Sequence, residues 1–237
     1  MYYLLRKQII LFGIFIFVIT NVFAQKYVEL NRPDRDELPY YFGMTLAVNQ
    51  SYLAATKHTK FINDDSILSV QPGASSGISL GLLGTLKLNY CWEFRFNPQL
   101  IIGGSKHFIY QKNYPVEEVK KTLPSTIVSF PFQFKLNSDR LNNFRTYVLF
   151  GAKYDIDLAS NSSARNAQDM VKLKKSDFAL EAGIGFNFFL PFVTISPELK
   201  FSYGLSNIHS RDPALKYSNV FDKIQSRMIS LSIHLED

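Results

Sequence analysis

Gly77-Ile78-Ser79-Leu80-Gly81 has the spacing of a serine nucleophile held between two glycines. Two histidines could serve as its base: His209, beside Ser210, and His234, two residues after Ser232. That chemistry needs a sharp strand-to-helix turn with an oxyanion hole beside the hydroxyl. The residues around Ser79 instead alternate large apolar groups with small or polar ones, so the motif reads as small groups on one face of a strand. No catalytic residue is assigned. Asp64-Asp65 and Asp155-x-Asp157 lack the ligand count of a calcium loop. Four scattered histidines and a single cysteine give no transition-metal spacing. No glycine loop leads from a strand into a helix to hold phosphate, so neither metal nor cofactor is expected. Cys91 has no partner for an internal disulfide and reads as a small packed residue beside Trp92.

What remains is a set of charges of both signs: Glu93, Arg95, Arg145, Lys153, Asp155, Glu181, Glu198 and Lys200. They share their strand faces with glycines, serines and alanines, among them Gly43, Ala47, Gly77, Ser79, Gly81, Gly183, Gly185, Ser202 and Gly204. A solvated face would favour Lys, Glu and Thr. Small groups interspersed with a few large charged ones suit a narrow interior. Buried charge persists only when it is paired and hydrogen-bonded, so these eight residues are expected to form a salt-bridge network inside the fold.

Eight alternating segments must position them, at about 40–52, 74–88, 91–110, 126–137, 144–158, 176–190, 192–206 and 225–236. The clearest is Val128-Ser129-Phe130-Pro131-Phe132-Gln133-Phe134-Lys135-Leu136, with Val, Phe, Phe, Phe and Leu on one face and Ser, Pro, Gln and Lys on the other. The connections alternate long and short. Long ones cover 53–73, 111–125, 159–175 and 207–224; short ones sit at 89–90, 138–143 and 190–191. Outer-membrane barrels have an even strand number, short periplasmic turns and long external loops. The fold expected is therefore all-β, an eight-stranded antiparallel up-and-down transmembrane β-barrel over 40–237.

Periodicity alone allows the apolar face to point outward to lipid or inward to a ligand, as in a soluble barrel. The small residues of the polar face favour the outward assignment. Pro98, Pro131 and Pro197 count against an unbroken ladder, because each removes a donor. Eight strands enclose just enough room for side chains, so a wide diffusion pore is not expected.

Composition agrees. The chain has 237 residues, 46% hydrophobic and 15% aromatic, with 21 Phe and 13 Tyr. The mean hydropathy is near zero, as it must be when lipid-facing and lumen-facing residues cancel. Residues 1–24 read as a cleaved export signal: Arg6 and Lys7, an apolar run from Ile9 to Ile19, then Val22-Phe23-Ala24. The run is too short to span a bilayer as a helix. Removing it takes the formal charge from +6 to about +4, and no basic run is dense enough to imply nucleic acid. Residues 25–39, charged and carrying Pro33 and Pro39, read as an extended or disordered periplasmic arm. Two loop stretches, Val116 to Lys121 and Ala164 to Lys175, look helix-like. Their lysines suggest a contact surface for a partner protein or for lipopolysaccharide phosphates.

Five stretches, Leu38–Asn49, Asp65–Gly81, Phe94–Pro98, Ser196–Asn207 and Ser226–Glu236, together resemble the PorT family of Bacteroidota, called SprT in gliding bacteria. That family is the barrel component of the type IX secretion system. The resemblance implies a non-enzymatic outer-membrane protein required for protein transport by that system, and for gliding in some bacteria. It also implies contact with other secretion-system proteins, and it carries over no catalytic residue. The alternatives from the residues are a small barrel with an adhesive or membrane-stabilising role, and a barrel acyl hydrolase using Ser79, Ser232 or His234.

Overall fold

A computed structural model describes residues 29–57, 67–103, 106–112, 118–123, 125–159, 173–210 and 221–237. The leader at 1–24, Asp64-Asp65 and most of Ala164 to Lys175 lie outside the described residues. Asn31–Asp237 forms one compact unit.

Among the described residues there are twelve strands. They are β1 (Tyr40–Lys57), β2 (Ile67–Gly73), β3 (Ser75–Lys87), β4 (Trp92–Phe96), β5 (Gln99–Gly103) and β6 (Lys106–Lys112). Then come β7 (Glu118–Leu123), β8 (Thr126–Asn137), β9 (Phe144–Asp157), β10 (Ser176–Phe189), β11 (Thr194–Gly204) and β12 (Phe221–Glu236). β1 pairs antiparallel with both β12 and β3, at Met44 opposite Leu235 and opposite Leu82, so the sheet returns on itself. β4 and β5 each pair with β3 on one side and β8 on the other in a single register. They are two halves of one staff, interrupted at Asn97-Pro98. Counted so, the wall has eight staves and every neighbour is antiparallel.

The prolines are accommodated without a slip in register. The Pro98 carbonyl accepts from Leu82 N at 3.0 Å, and the Pro131 carbonyl accepts from Asn97 N at 3.3 Å. Pro197 stays in the β11–β12 ladder opposite Ile233.

Alternation sets what faces where. On β1, Phe42, Met44, Leu46 and Val48 are 54–65% exposed, whereas Thr45 and Ala47 between them are 2% and 3% exposed. The same holds on β10, where Phe178, Leu180, Ile184, Phe186 and Phe188 are exposed and Asp177, Ala179, Glu181 and Asn187 buried. The large apolar groups therefore coat the outside, and the interior is polar. The outer rings make their own contacts: Phe96 stacks on Phe132 at 4.9 Å between centroids, and Trp92 meets Phe150 edge-on at 5.9 Å.

Three differences from the expected elements stand out. The stretch Val116 to Lys121 is not helical where described: β7 begins at Glu118 and pairs with β6, Ile109 opposite Lys120. An isolated helix of six residues is too short to offset its nucleation cost, whereas a hairpin partner is at hand. Second, strands run further than alternation suggested at the end bearing the long connections: β1 continues to Lys57, β12 begins at Phe221, and β2, β6 and β7 form a three-stranded sheet. In sequence these three adjoin β3, β5 and β8, and they pair in the same order, so that side of the wall is extended. Third, the charged stretch before β1 is not simply extended. Pro33–Asp36 forms a 3-10 turn, with Pro at its start where no amide hydrogen is needed.

An arginine in place of Leu46, midway along the outward face of β1, separates a lipid wall from a solvated one. In vesicles, Leu46→Arg is expected to lower unfolding stability by about 2–4 kcal/mol, as for cations on the lipid face of a barrel. Reversible urea unfolding followed by tryptophan emission measures it. A water-facing leucine would give a change near zero.

Candidate functional site

The interior is built by the inward half of each staff. At its centre Arg95 of β4, fully buried, reaches two carboxylates: Nη1 lies 2.7 Å from Glu198 Oε2 and Nη2 lies 3.2 Å from Glu236 Oε1. Glu198 Oε2 also accepts the Tyr147 hydroxyl at 2.9 Å and faces His234 Nε2 at 3.3 Å, while Lys200 Nζ stands 3.8 Å from Oε1. Tyr147 reaches this carboxylate because the residue opposite it on β10 is Gly185. A Cβ at Gly185 would lie 2.3 Å from the Tyr147 ring, so only glycine leaves the ring its bed.

A second cluster lies on the loop side. Lys153 Nζ is 3.0 Å from Asp155 and 3.9 Å from Glu181; Lys200 is 3.7 Å from Glu181. Gln133 Nε2 and Ser202 Oγ donate to Glu181 at 2.7 and 2.9 Å, and Ser129 donates to Asp155. A third joins Glu93 to Lys135 at 3.2 Å and to the Tyr41 hydroxyl at 2.7 Å. Lys200 bridges the first two clusters, so charge of alternating sign runs along the interior.

Of the eight charges singled out from the sequence, seven lie in these clusters. Arg95 is bound to Glu198, Glu93 to Lys135, and Lys153, Asp155, Glu181 and Lys200 are linked to one another. Arg145 stands apart from the other seven. Its Nη2 lies 3.0 Å from Asp36 of the 3-10 turn, which Arg140 also holds at 2.9 Å.

That turn is the feature that alternation did not reveal. Arg35 is buried, its guanidinium 3.7 Å over the Tyr41 ring and 2.6 Å from Glu236 Oε2, and Lys87 donates to its carbonyl. Within the segment expected to be an extended or disordered arm, residues 32–36 are therefore docked at the end of the barrel that carries the short turns. Another packed group lies towards the long connections. Ile127, Leu173 and Ile208, all buried, line a pocket of only about 30 Å³ with Lys153, Asp155 and Asp177. Lys135, His234 and Glu236 were legible on the inward face by parity. Arg35 and Asp36 precede the first strand, where there is no period to read.

None of the nucleophile candidates meets a base. Ser79 lies within β3 and accepts from Asn49 Nδ2. His234 bonds Thr45 Oγ1 through Nδ1 at 2.8 Å and faces Glu198 through Nε2, not Ser232. Asp157 caps the start of β8, accepting from Ser125 Oγ at 3.2 Å and Thr126 N at 3.3 Å. Among the described residues no group of three His, Cys, Asp or Glu side chains is disposed to hold a metal.

An eight-staved closed barrel with an apolar exterior and a charged interior defines a class, the small membrane-spanning β-barrels. Residues 23–210 match the family described as outer membrane protein beta-barrel domain, and the chain belongs to it. It is an outer-membrane β-barrel. Among solved structures it is similar to Neisserial surface protein A (10% identity, 81% of this chain and 95% of that one, TM-score 0.46). It is similar too to OprG from Pseudomonas aeruginosa (15% identity, 83% and 93%, TM-score 0.45). A third is Ail of Yersinia pestis, solved with the heparin analogue sucrose octasulfate (13% identity, 84% and 100%, TM-score 0.39). No curated protein matches the sequence.

Glu198 is the carboxylate that most groups share. Glu198→Gln leaves the Arg95 guanidinium buried with one counter-ion fewer, and is expected to cost about 3–5 kcal/mol. Urea unfolding in micelles measures the loss, which should exceed that of Ser232→Ala in the same lumen.

Proposed function

We propose that this protein is a non-enzymatic outer-membrane anchor that acts through its rims rather than through its lumen. The observation that carries this reading is an interior occupied by paired charge, with the 3-10 turn docked at one end, where Arg35 meets Glu236 and Asp36 meets Arg145. A lumen filled by paired charge offers no path for a protein and no bed for a substrate. Function then falls to the surfaces beyond the bilayer. Residues 1–24 are read as the export leader. The even number of staves puts the 3-10 turn and the end of β12 on one side, assigned to the periplasm, with the long connections outside.

The finer reading is a structural component of type IX protein secretion, and with it of gliding. It rests on the resemblance of the five stretches to the PorT family. The periplasmic rim around Asn89, Arg140 and Pro191 and the external loops supply surfaces for other secretion-system proteins. The lysines of the external loops, Lys174 and Lys175 among them, suit lipopolysaccharide phosphates. A second reading, an adhesive or membrane-stabilising barrel, is favoured by the sheet of β2, β6 and β7. It offers an ordered surface beside the long connections.

A deletion strain distinguishes the two. The secretion reading expects cargo bearing type IX signals to accumulate in the periplasm, with recovery when the full chain is restored. Normal secretion, coupled with loss of surface attachment or of resistance to detergent, would favour the second reading instead. In planar bilayers the purified chain is expected to show no sustained conductance of the size of a diffusion pore.

A further inference from the structure

On the outward face of β9 and β10 the large side chains give way to two small ones. Ala152 of β9 and Ala182 of β10 face outward among Phe132, Phe150, Phe201 and Ile229, and together they line a hollow of about 810 Å³. At the rim towards the long connections stands Arg227 of β12. Its two cross-strand neighbours are Tyr52 on β1 and Tyr203 on β11, and its guanidinium lies 3.7 Å over the Tyr203 ring. Below it on the same face the strand carries only Ile229, Leu231, Ile233 and Leu235. Among the described residues Arg227 pairs with no carboxylate, and its Nε is buried without a hydrogen-bond partner.

We propose that this hollow is a binding site for a phospholipid of net negative charge, with an acyl chain against Ala152 and Ala182 and the phosphate on Arg227. A cation facing hydrocarbon without a counter-ion is costly, and an anionic headgroup removes that cost. Arginine suits the role because its fork can give two hydrogen bonds to one phosphate while its plane stays stacked on Tyr203. The apolar lining excludes a free anion as the natural occupant, since the phosphate alone would leave the hollow empty. A second copy of the chain is disfavoured on charge. A two-fold contact through this face would bring one Arg227 towards the other. The site lies on the barrel wall and goes beyond the rim-based role proposed above; it requires only that the wall faces lipid.

Native mass spectrometry tests it on the full chain, released from micelles containing equal phosphatidylglycerol and phosphatidylcholine. The wild type is expected to retain phosphatidylglycerol over phosphatidylcholine by on the order of tenfold. Arg227→Gln should fall to near parity, and Arg227→Lys should keep a reduced preference. Ala182→Phe fills the hollow from outside the ladder and should retain neither lipid. Each variant is first shown to keep the heat-dependent gel shift of a folded barrel. An undiminished preference in Arg227→Gln would overturn the proposal. So would displacement of the lipid by millimolar inorganic phosphate, which would mark a bare anion site. A dimer that survives lipid removal and is lost in Ala182→Phe would overturn it in favour of a second copy.

Discussion

Backbone amides and carbonyls have no partner in hydrocarbon, and this requirement governs the whole structure. A strand that crosses a bilayer must be bonded on both edges. That condition is met only because β1 serves as neighbour to both β3 and β12. Once the sheet closes, every residue has two fates, outward or inward. A single parity then sends most Phe, Leu and Ile to lipid and most Ser, Glu, Arg and Lys to the interior, with Leu53, Leu83, Ile101 and Leu149 among the apolar groups kept inside. Even the three prolines conform: their carbonyls or register positions still serve the ladder although they give it no donor.

Closure creates a second problem, the narrow polar interior, and its solution explains much of the lumen composition. Charges in so little space must satisfy one another. Glu198 accepts from Arg95 and Tyr147 at once and faces His234, and Arg95 divides its donors between Glu198 and Glu236. Small residues make this possible by leaving room for long ones. Gly185 beneath the Tyr147 ring is the clearest instance, an absent side chain on one staff that positions a hydroxyl on the next.

The wall was legible in the residues because one physical rule, alternation, acts over every staff within the bilayer. Beyond the bilayer the rule lapses, since both faces of a strand can then be polar. Accordingly β2 and β7, and the ends of β1, β6 and β12, escaped a reading based on period, and the helix-like residues Val119, Lys120 and Lys121 were in fact strand. The charged lumen residues were visible as a set, but their pairing was not. Glu93 and Arg95 are two apart on one staff, yet Glu93 pairs with Lys135 directly opposite it on β8 and Arg95 with Glu198 from the far wall. Which carboxylate meets which cation depends on the shear of the barrel, and no local spacing encodes that. Arg35 was hidden for a different reason: a single turn docked by three ion pairs leaves no periodic trace.

The same turn ties the residues just before β1 to those at the end of β12. Arg32 meets Asp237 at 3.1 Å and Arg35 meets Glu236 at 2.6 Å, contacts spanning some two hundred residues of sequence. Neither can form until β12 has docked against β1, the pairing of greatest sequence separation in the wall. The latch is thus a record of completed assembly. A barrel whose last seam is still open leaves Arg32 and Arg35 without these two partners, and a finished one has engaged both.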